Sequence, residues 1–372
     1  MSSSLPDPNN LTPTYDYSRS YEWNFQHGPL FSGEAPRRPS AEFEEFLGLP
    51  VRSRVGVAAG PLLHSAWIKL YAALGFDILT YKTVRSQAWP VYAPPNLLVV
   101  EVSRRLSQGT LSDTLVGSYE RSRPVAETSM ANTFGMPSLP PEEWQRDIAI
   151  AKGYLQDGQV LVVSVVGTDR GDMTPQELAD DFARCAQWAK DAGADIVEIN
   201  LSCPNVKAQE GQLYRDPAAA ELVAATVKPR LGAVPLLAKI GYLEQEDALY
   251  ELAERLSPAV DGITAINTIP MKIVDGRGQQ ALPGGAKCGV GGWAVKNAGV
   301  QLVDRLHHWR RETSRRVAIV GVGGIMEAHD AEDYFIAGAD AVEVATGAIL
   351  DPYLALRIHA PLQATLSADS TA

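Results

Sequence analysis

Apolar residues recur along the chain in short unbroken runs rich in Val, Ile and Leu, separated by longer stretches with helical spacing. From position 55 onward the runs fall at 55–59, 77–83, 160–167, 195–201, 235–240, 261–267, 317–324 and 340–347. Continuous apolar runs, rather than strict alternation, predict strands of a parallel sheet covered on both faces. Between them, ELADDFARCAQWAKDAG puts Leu178, Phe182, Cys185 and Ala189 on one stripe. EDALYELAERL does the same with Leu249, Leu252, Ala253 and Leu256. Acidic residues open each window, which suits a helix N-terminus. Three windows end in similar phrases before the next run, ALGFD, DAGAD and IAGAD, whose Gly supplies a left-handed helix cap.

Eight strands alternating with helices predict an α/β fold, a (β/α)8 TIM barrel. A doubly wound dinucleotide fold would need GxGxxG after its first strand, and AAGPLL does not fit. The stretches 84–159 and 268–300 are too long for ordinary connections. They read as insertions at the C-terminal mouth of the barrel, where they would cover a site. Residues 1–50 carry Pro, Ser and aromatic residues with almost no periodicity and read as an N-terminal arm held by its rings. The barrel domain then occupies 51–372. The only stretch of the arm that could be an amphipathic helix, FEEFLGL from Phe43, is short and acidic.

Composition narrows the class. The 372 residues are 45% hydrophobic and 21% charged, ordinary for a globular protein, with a net charge of -11. That balance disfavours a nucleic-acid partner, which would need a basic surface. The N-terminus lacks a signal-peptide pattern, and no apolar run reaches the ~20 residues of a membrane-spanning helix. Three widely spaced Cys fit a reducing, cytoplasmic setting and argue against a disulfide scaffold or a cluster bound by this chain alone. The six His show no ligand spacing, so no metal site is expected.

Candidate chemistry gathers at the strand ends. Lys82 closes the second strand and Lys239 the fifth. A buried ammonium needs an anion or several acceptors. A core carboxylate such as Glu198 or an anionic ligand would serve, and two such lysines on one face favour the ligand. Ser164 lies in the third strand, and Asn200 ends the fourth, running into Ser202, Cys203, Pro204 and Asn205. Asn267 and Thr268 end the sixth. Gly323-Gly324 and Thr346-Gly347 end the last two strands, where barrels commonly bind phosphate. Cys185 reads as a buried helix residue, Cys203 as a mouth-facing nucleophile or proton acceptor, and Cys288 as undecided. Asn132, within NTFGMP, joins Asn200, Asn205 and Asn267. Together these carboxamides suit a neutral, planar ring bearing C=O and N–H groups.

INLSCPN (199–205), with NTFGMP, YKT, AKI, AINT, GVGG and GVGGI, resembles the dihydroorotate dehydrogenase family over roughly residues 51–355. The resemblance implies an FMN-dependent barrel that oxidises (S)-dihydroorotate to orotate in pyrimidine synthesis. It implies that Cys203 removes the C5 proton while the C6 hydride passes to flavin N5. Asn132, Asn200, Asn205, Asn267 and Thr268 would hold the pyrimidine ring and its carboxylate, with backbone from Gly135 and Met136. Lys82 would touch both substrate and flavin, and Lys239 the flavin N1–C2 edge. Ala59, Gly60, Thr83, Ser164, Asn200, Ile266, Gly292, Gly323, Gly324, Ala345 and Thr346 would complete the FMN site. Cys at the base position resembles the soluble class 1 enzymes, commonly homodimers, in which fumarate is one acceptor and NAD, through a separate subunit, another. APPNL (93–97) replaces the family's GNP-x-PR phrase, without its Arg. Thr268 stands where Ser is commoner and resembles dihydropyrimidine dehydrogenase, whereas Asn205 and Phe134 depart from that relative. A related flavin enzyme acting on another cyclic amide, or a non-catalytic FMN-binding paralogue, are the alternatives.

Overall fold

A computed structural model describes residues 5–35, 42–106, 111, 113–202 and 212–359. Cys203 and Asn205 lie outside the described residues. The arm contributes α1 (Tyr21–His27), capped by the Ser20 side chain on the Trp23 N–H. Its aromatic run therefore has helical order that its sequence pattern did not disclose. β1 (Glu44–Phe46) and β2 (Leu49–Val51) form an antiparallel hairpin. The FEEFLGL stretch is thus a hairpin, not a helix: Leu47 and Gly48 both take positive φ and turn the chain back.

Eight parallel strands close the main barrel: β3 (Val55–Val57), β4 (Ile78–Val84), β8 (Val160–Val165), β9 (Ile196–Asn200), β10 (Leu236–Ile240), β11 (Gly262–Ala265), β14 (Ala318–Val322) and β15 (Ala341–Val344). Each coincides with one of the apolar runs read from the sequence. The helices α2 (Ser65–Ala73), α3 (Pro141–Lys152), α4 (Pro175–Asp191), α5 (Pro217–Leu231), α6 (Glu246–Leu256), α7 (Lys296–Thr313), α8 (Ala328–Ile336) and α9 (Thr346–Leu350) follow barrel strands or their insertions. The structure is thus the (β/α)8 TIM barrel expected from the alternation. Cys185 is fully buried on the α4 stripe, with Leu178, Phe182 and Ala189. Gly75, Gly193 and Gly338 take the positive φ that the three repeated phrases predict.

The two insertions are not independent loops. The first holds β5 (Leu97–Glu101), β6 (Thr114–Ser118) and β7 (Ser129–Asn132); the second holds β12 (Ile269–Val274) and β13 (Cys288–Gly292). They close on each other as a second, five-stranded barrel. β13 lies antiparallel to β7, and β12 parallel to β6. Cys288 is buried at the start of β13, and burial pushes its thiol up to about 11.

Inside the main barrel, Phe46 and Val51 of the hairpin pack with Ile78, Val160, Val162, Ile196, Leu237, Val320 and Ala341 as a separate apolar cluster. The hairpin therefore plugs one end of the barrel. Side chains two positions along a strand share a face. Thr80, Glu198, Lys239 and Glu343 consequently face the same interior, one step nearer the C-terminal mouth.

Candidate active site

A cavity opens at that mouth, beneath the second barrel. Strand ends of the main barrel bring Ala59, Gly60, Lys82, Thr83, Asn200, Lys239, Ile266, Asn267, Thr268, Gly323, Gly324, Ala345 and Thr346 to its wall. The insertions add Asn132, Gly135, Met136 and Gly292. Ser164 stands behind the wall, its hydroxyl 3.0 Å from that of Thr83.

On one side two of the carboxamides, Asn200 and Asn267, bond to each other and to the adjoining backbone. Asn200 Nδ2 donates to Thr83 Oγ1 (3.3 Å), and Asn200 Oδ1 accepts from the Ser202 N–H (3.1 Å). Asn267 Nδ2 donates to Asn200 Oδ1 (3.4 Å) and to the Ser202 carbonyl, while Asn267 Oδ1 accepts from the Thr268 N–H (2.8 Å). Asn132 Nδ2 donates to the Gly289 carbonyl (3.3 Å). Such mutual bonding fixes the amide orientations before a ligand arrives.

The turn at Gly135 and Met136 has positive φ at both residues. Arg85, fully buried, holds it: Nε donates to the Met136 carbonyl (3.1 Å), and Nη1 to the Gly167 carbonyl (3.2 Å). Sequence reading missed Arg85, although a charge directly after an apolar strand is the signal that singled out the two lysines.

Two cations reach the cavity. Lys82 Nζ sits 6.0 Å from the Tyr21 ring centroid and 5.9 Å from that of Phe134, within cation–π range. Lys239 is only 4% exposed and makes no ion pair or hydrogen bond among the described residues. The salt bridge to Glu198 that would have explained it structurally is not formed.

Opposite the carboxamides lies a glycine cradle. Gly323 and Gly324 have φ of 122° and 70°, and a Cβ on Gly324 would come within 2.6 Å of the Lys296 backbone. Lys296 itself ion-pairs with Asp330 and with Asp333 (2.6 Å), tying α7 to α8 beneath the turn. At Gly60 (φ 142°) an added Cβ would meet nothing within 4 Å.

The arm supplies a wall that sequence reading did not assign. Tyr15 lines the cavity, its ring 6.2 Å from that of Phe134. Thr14 anchors it, donating its N–H to the Ile349 carbonyl (2.9 Å) and placing its hydroxyl 2.6 Å from that of Tyr71. Asn96 of APPNL, almost fully buried, accepts from the Tyr21 N–H (3.2 Å) and donates to the carbonyls of Tyr92, Ala93 and Thr133. The residue in the altered phrase thus fastens the arm.

A sequence model of the family described as dihydroorotate dehydrogenase matches residues 123–366. The chain belongs to the dihydroorotate dehydrogenase family. A dihydroorotate dehydrogenase of Dictyostelium discoideum is 34% identical over 362 residues, 93% of this chain and 96% of that protein. The catalytic subunit of dihydroorotate dehydrogenase B (NAD(+)) from Methanocaldococcus jannaschii is 29% identical over 218 residues, 58% of this chain and 65% of that one. In structure the chain is similar to DHODH from Eimeria tenella, solved in complex with ferulenol. The TM-score is 0.67 at 18% identity, covering 87% of this chain and 83% of that one, a likeness of fold. Membership makes the chain an enzyme, a flavin-dependent oxidoreductase of the dihydroorotate dehydrogenase type.

The residues on the wall fit such a group. A buried cation that makes no ion pair or hydrogen bond among the described residues, backbone free of Cβ atoms at Gly60, Gly323 and Gly324, and the bonded carboxamides of Asn200 and Asn267 meet the needs of a phosphate and a planar polar ring.

Proposed function

We propose that the chain oxidises (S)-dihydroorotate to orotate with FMN as its flavin and Cys203 as the base. The observation that carries the reading is the meeting, in one cavity, of the carboxamide cluster, two lysines and the glycine cradle. When bound, FMN supplies a two-electron acceptor for the hydride leaving C6. Gly323, Gly324 and Thr346, with Gly292 facing them, would hold its phosphate. Ala59, Gly60, Thr83, Ile266 and Ala345 would line its ring, with Ser164 acting through Thr83. Lys239 would lie against the ring edge where negative charge develops.

Asn132, Asn200, Asn205, Asn267 and Thr268 bind the pyrimidine ring and its carboxylate. Arg85 keeps the Gly135–Met136 backbone presented to that ring. Lys82 faces the same ligand, with the rings of Tyr21 and Phe134 limiting water around it. Cys203 follows Ser202 in sequence, and the Asn200 and Asn267 side chains hold the Ser202 backbone. As thiolate, Cys203 takes the C5 proton.

For turnover we assign a soluble acceptor such as fumarate, following orotate into the same cavity, and a cytoplasmic homodimer as the working form. What supports this acceptor is that no helix among the described residues is long and apolar enough to cross a membrane. An acceptor series of fumarate, NAD and a soluble quinone tests the assignment, and turnover with quinone alone would overturn it. For the base, Cys203→Ser should slow flavin reduction at least tenfold near neutral pH and recover at high pH. An unchanged rate at pH 7 removes Cys203 from the role.

A further inference from the structure

One layer below the cavity floor, the main barrel carries charge that the reaction above does not use. Thr80, Glu198, Thr264 and Glu343 come from β4, β9, β11 and β15, which alternate around the barrel. Four side chains from alternate strands are the building unit of a barrel interior, ordinarily Val, Ile or Leu. Here two are carboxylates, and both are fully buried. Thr80 donates to Glu343 Oε1 (2.5 Å). Both oxygens of Glu198, Oε2 of Glu343 and Oγ1 of Thr264 make no hydrogen bond among the described residues. The residues two positions further along the same strands, Lys82, Asn200, Ile266 and Ala345, line the cavity itself.

We propose that this layer is the counter-charge of Lys239: Glu198 and Glu343 together hold one proton and one negative charge, and so set how strongly the Lys239 ammonium stabilises negative charge on a flavin above it. The proposal rests on the flavin assignment of the preceding section.

Two unpaired carboxylate charges buried together repel and are poorly solvated, so one proton stays. Burial first, and the charge of Glu198 second, push Glu343 up to about 8, with Lys239 and Thr80 pulling the other way. The one remaining negative charge balances Lys239, the cation whose charge acts on Glu343, and Lys82 lies one step higher on β4. Hydride transfer adds one negative charge to the flavin. The layer forms and breaks no bond to substrate and exchanges only a proton with water.

Two variants and two readouts test this. In purified holoenzyme the flavin midpoint potential should fall with an extra step as pH rises through about 8, when a second negative charge appears beneath Lys239. Glu343→Gln should abolish that step while changing the reduced-to-oxidised ratio less than threefold at pH 6.5. The double variant Glu198→Gln/Glu343→Gln, which strips the layer of charge, should favour reduced flavin at least tenfold, about 30 mV for a two-electron couple. Acid-minus-alkaline infrared difference spectra read the protonated carboxyl whether or not flavin is bound, so they separate this proposal from the flavin assignment. A carboxyl C=O band lost in Glu343→Gln is expected. A band that persists in that variant, or a potential indifferent to the double variant, overturns the proposal.

Discussion

Gly324 shows how closely one residue can be specified. Its φ of 70° disfavours any Cβ by ~1–2 kcal/mol, and the Lys296 backbone occupies the space a Cβ would need. Gly324→Ala should therefore distort the cradle, and the purified variant should retain less than a tenth of the wild-type flavin content by absorbance. Full retention would remove the cradle from the phosphate site. Glu343 makes a different prediction. Between the ordinary carboxylate range and about 8 the folded chain holds a proton that the unfolded chain has released. Its contribution to stability is complete below that range and is lost as pH rises to about 8. Denaturant midpoints should thus fall across this window, and Glu343→Gln should flatten the fall. At this scale the sequence was informative where a polar residue ended an apolar strand, as at Lys82, Asn200, Lys239 and Asn267. It offered Glu198 only as a salt-bridge partner for Lys239 and was silent at Glu343, because two carboxylates from strands on opposite sides of the barrel meet only once it closes.

The arm is an element held at several points, among them the buried Asn96 on the barrel side and the Thr14 anchor. Asn96 satisfies its buried carboxamide on the Tyr21 N–H and on three carbonyls, so truncation leaves those groups without partners. Asn96→Ala should destabilise the protein by ~1–3 kcal/mol, measured by denaturant unfolding. Proteolysis within residues 5–35 should also become faster, and an unchanged cleavage rate would show that the arm is held elsewhere. The rings of the arm were visible in the sequence, but their target was not. Tyr15 meets Phe134 and Trp67, residues more than 50 positions away, and no local period encodes such a contact. The same reason hid the second barrel. β12 and β13 find β6 and β7 across more than 130 residues of chain, so each insertion read alone looked like a covering loop. The eight main strands were legible because a buried parallel strand leaves a run that needs no partner to be recognised.

At the scale of the molecule, the net charge of -11 and the two cationic side chains in the cavity are compatible because the charges are segregated. The barrel carries a plugged apolar end, a carboxylate layer, a lysine and an open polar mouth in succession. That order places the Lys239 ammonium, with its counter-charge one layer below, where a reduced flavin would need a cation. The most direct measurement is anaerobic mixing of the purified protein with (S)-dihydroorotate while the visible flavin absorbance is followed. Rapid, complete bleaching with dihydroorotate and none with dihydrouracil is expected. A flavin that stays oxidised with dihydroorotate, or that is bleached by dihydrouracil instead, contradicts the proposed activity.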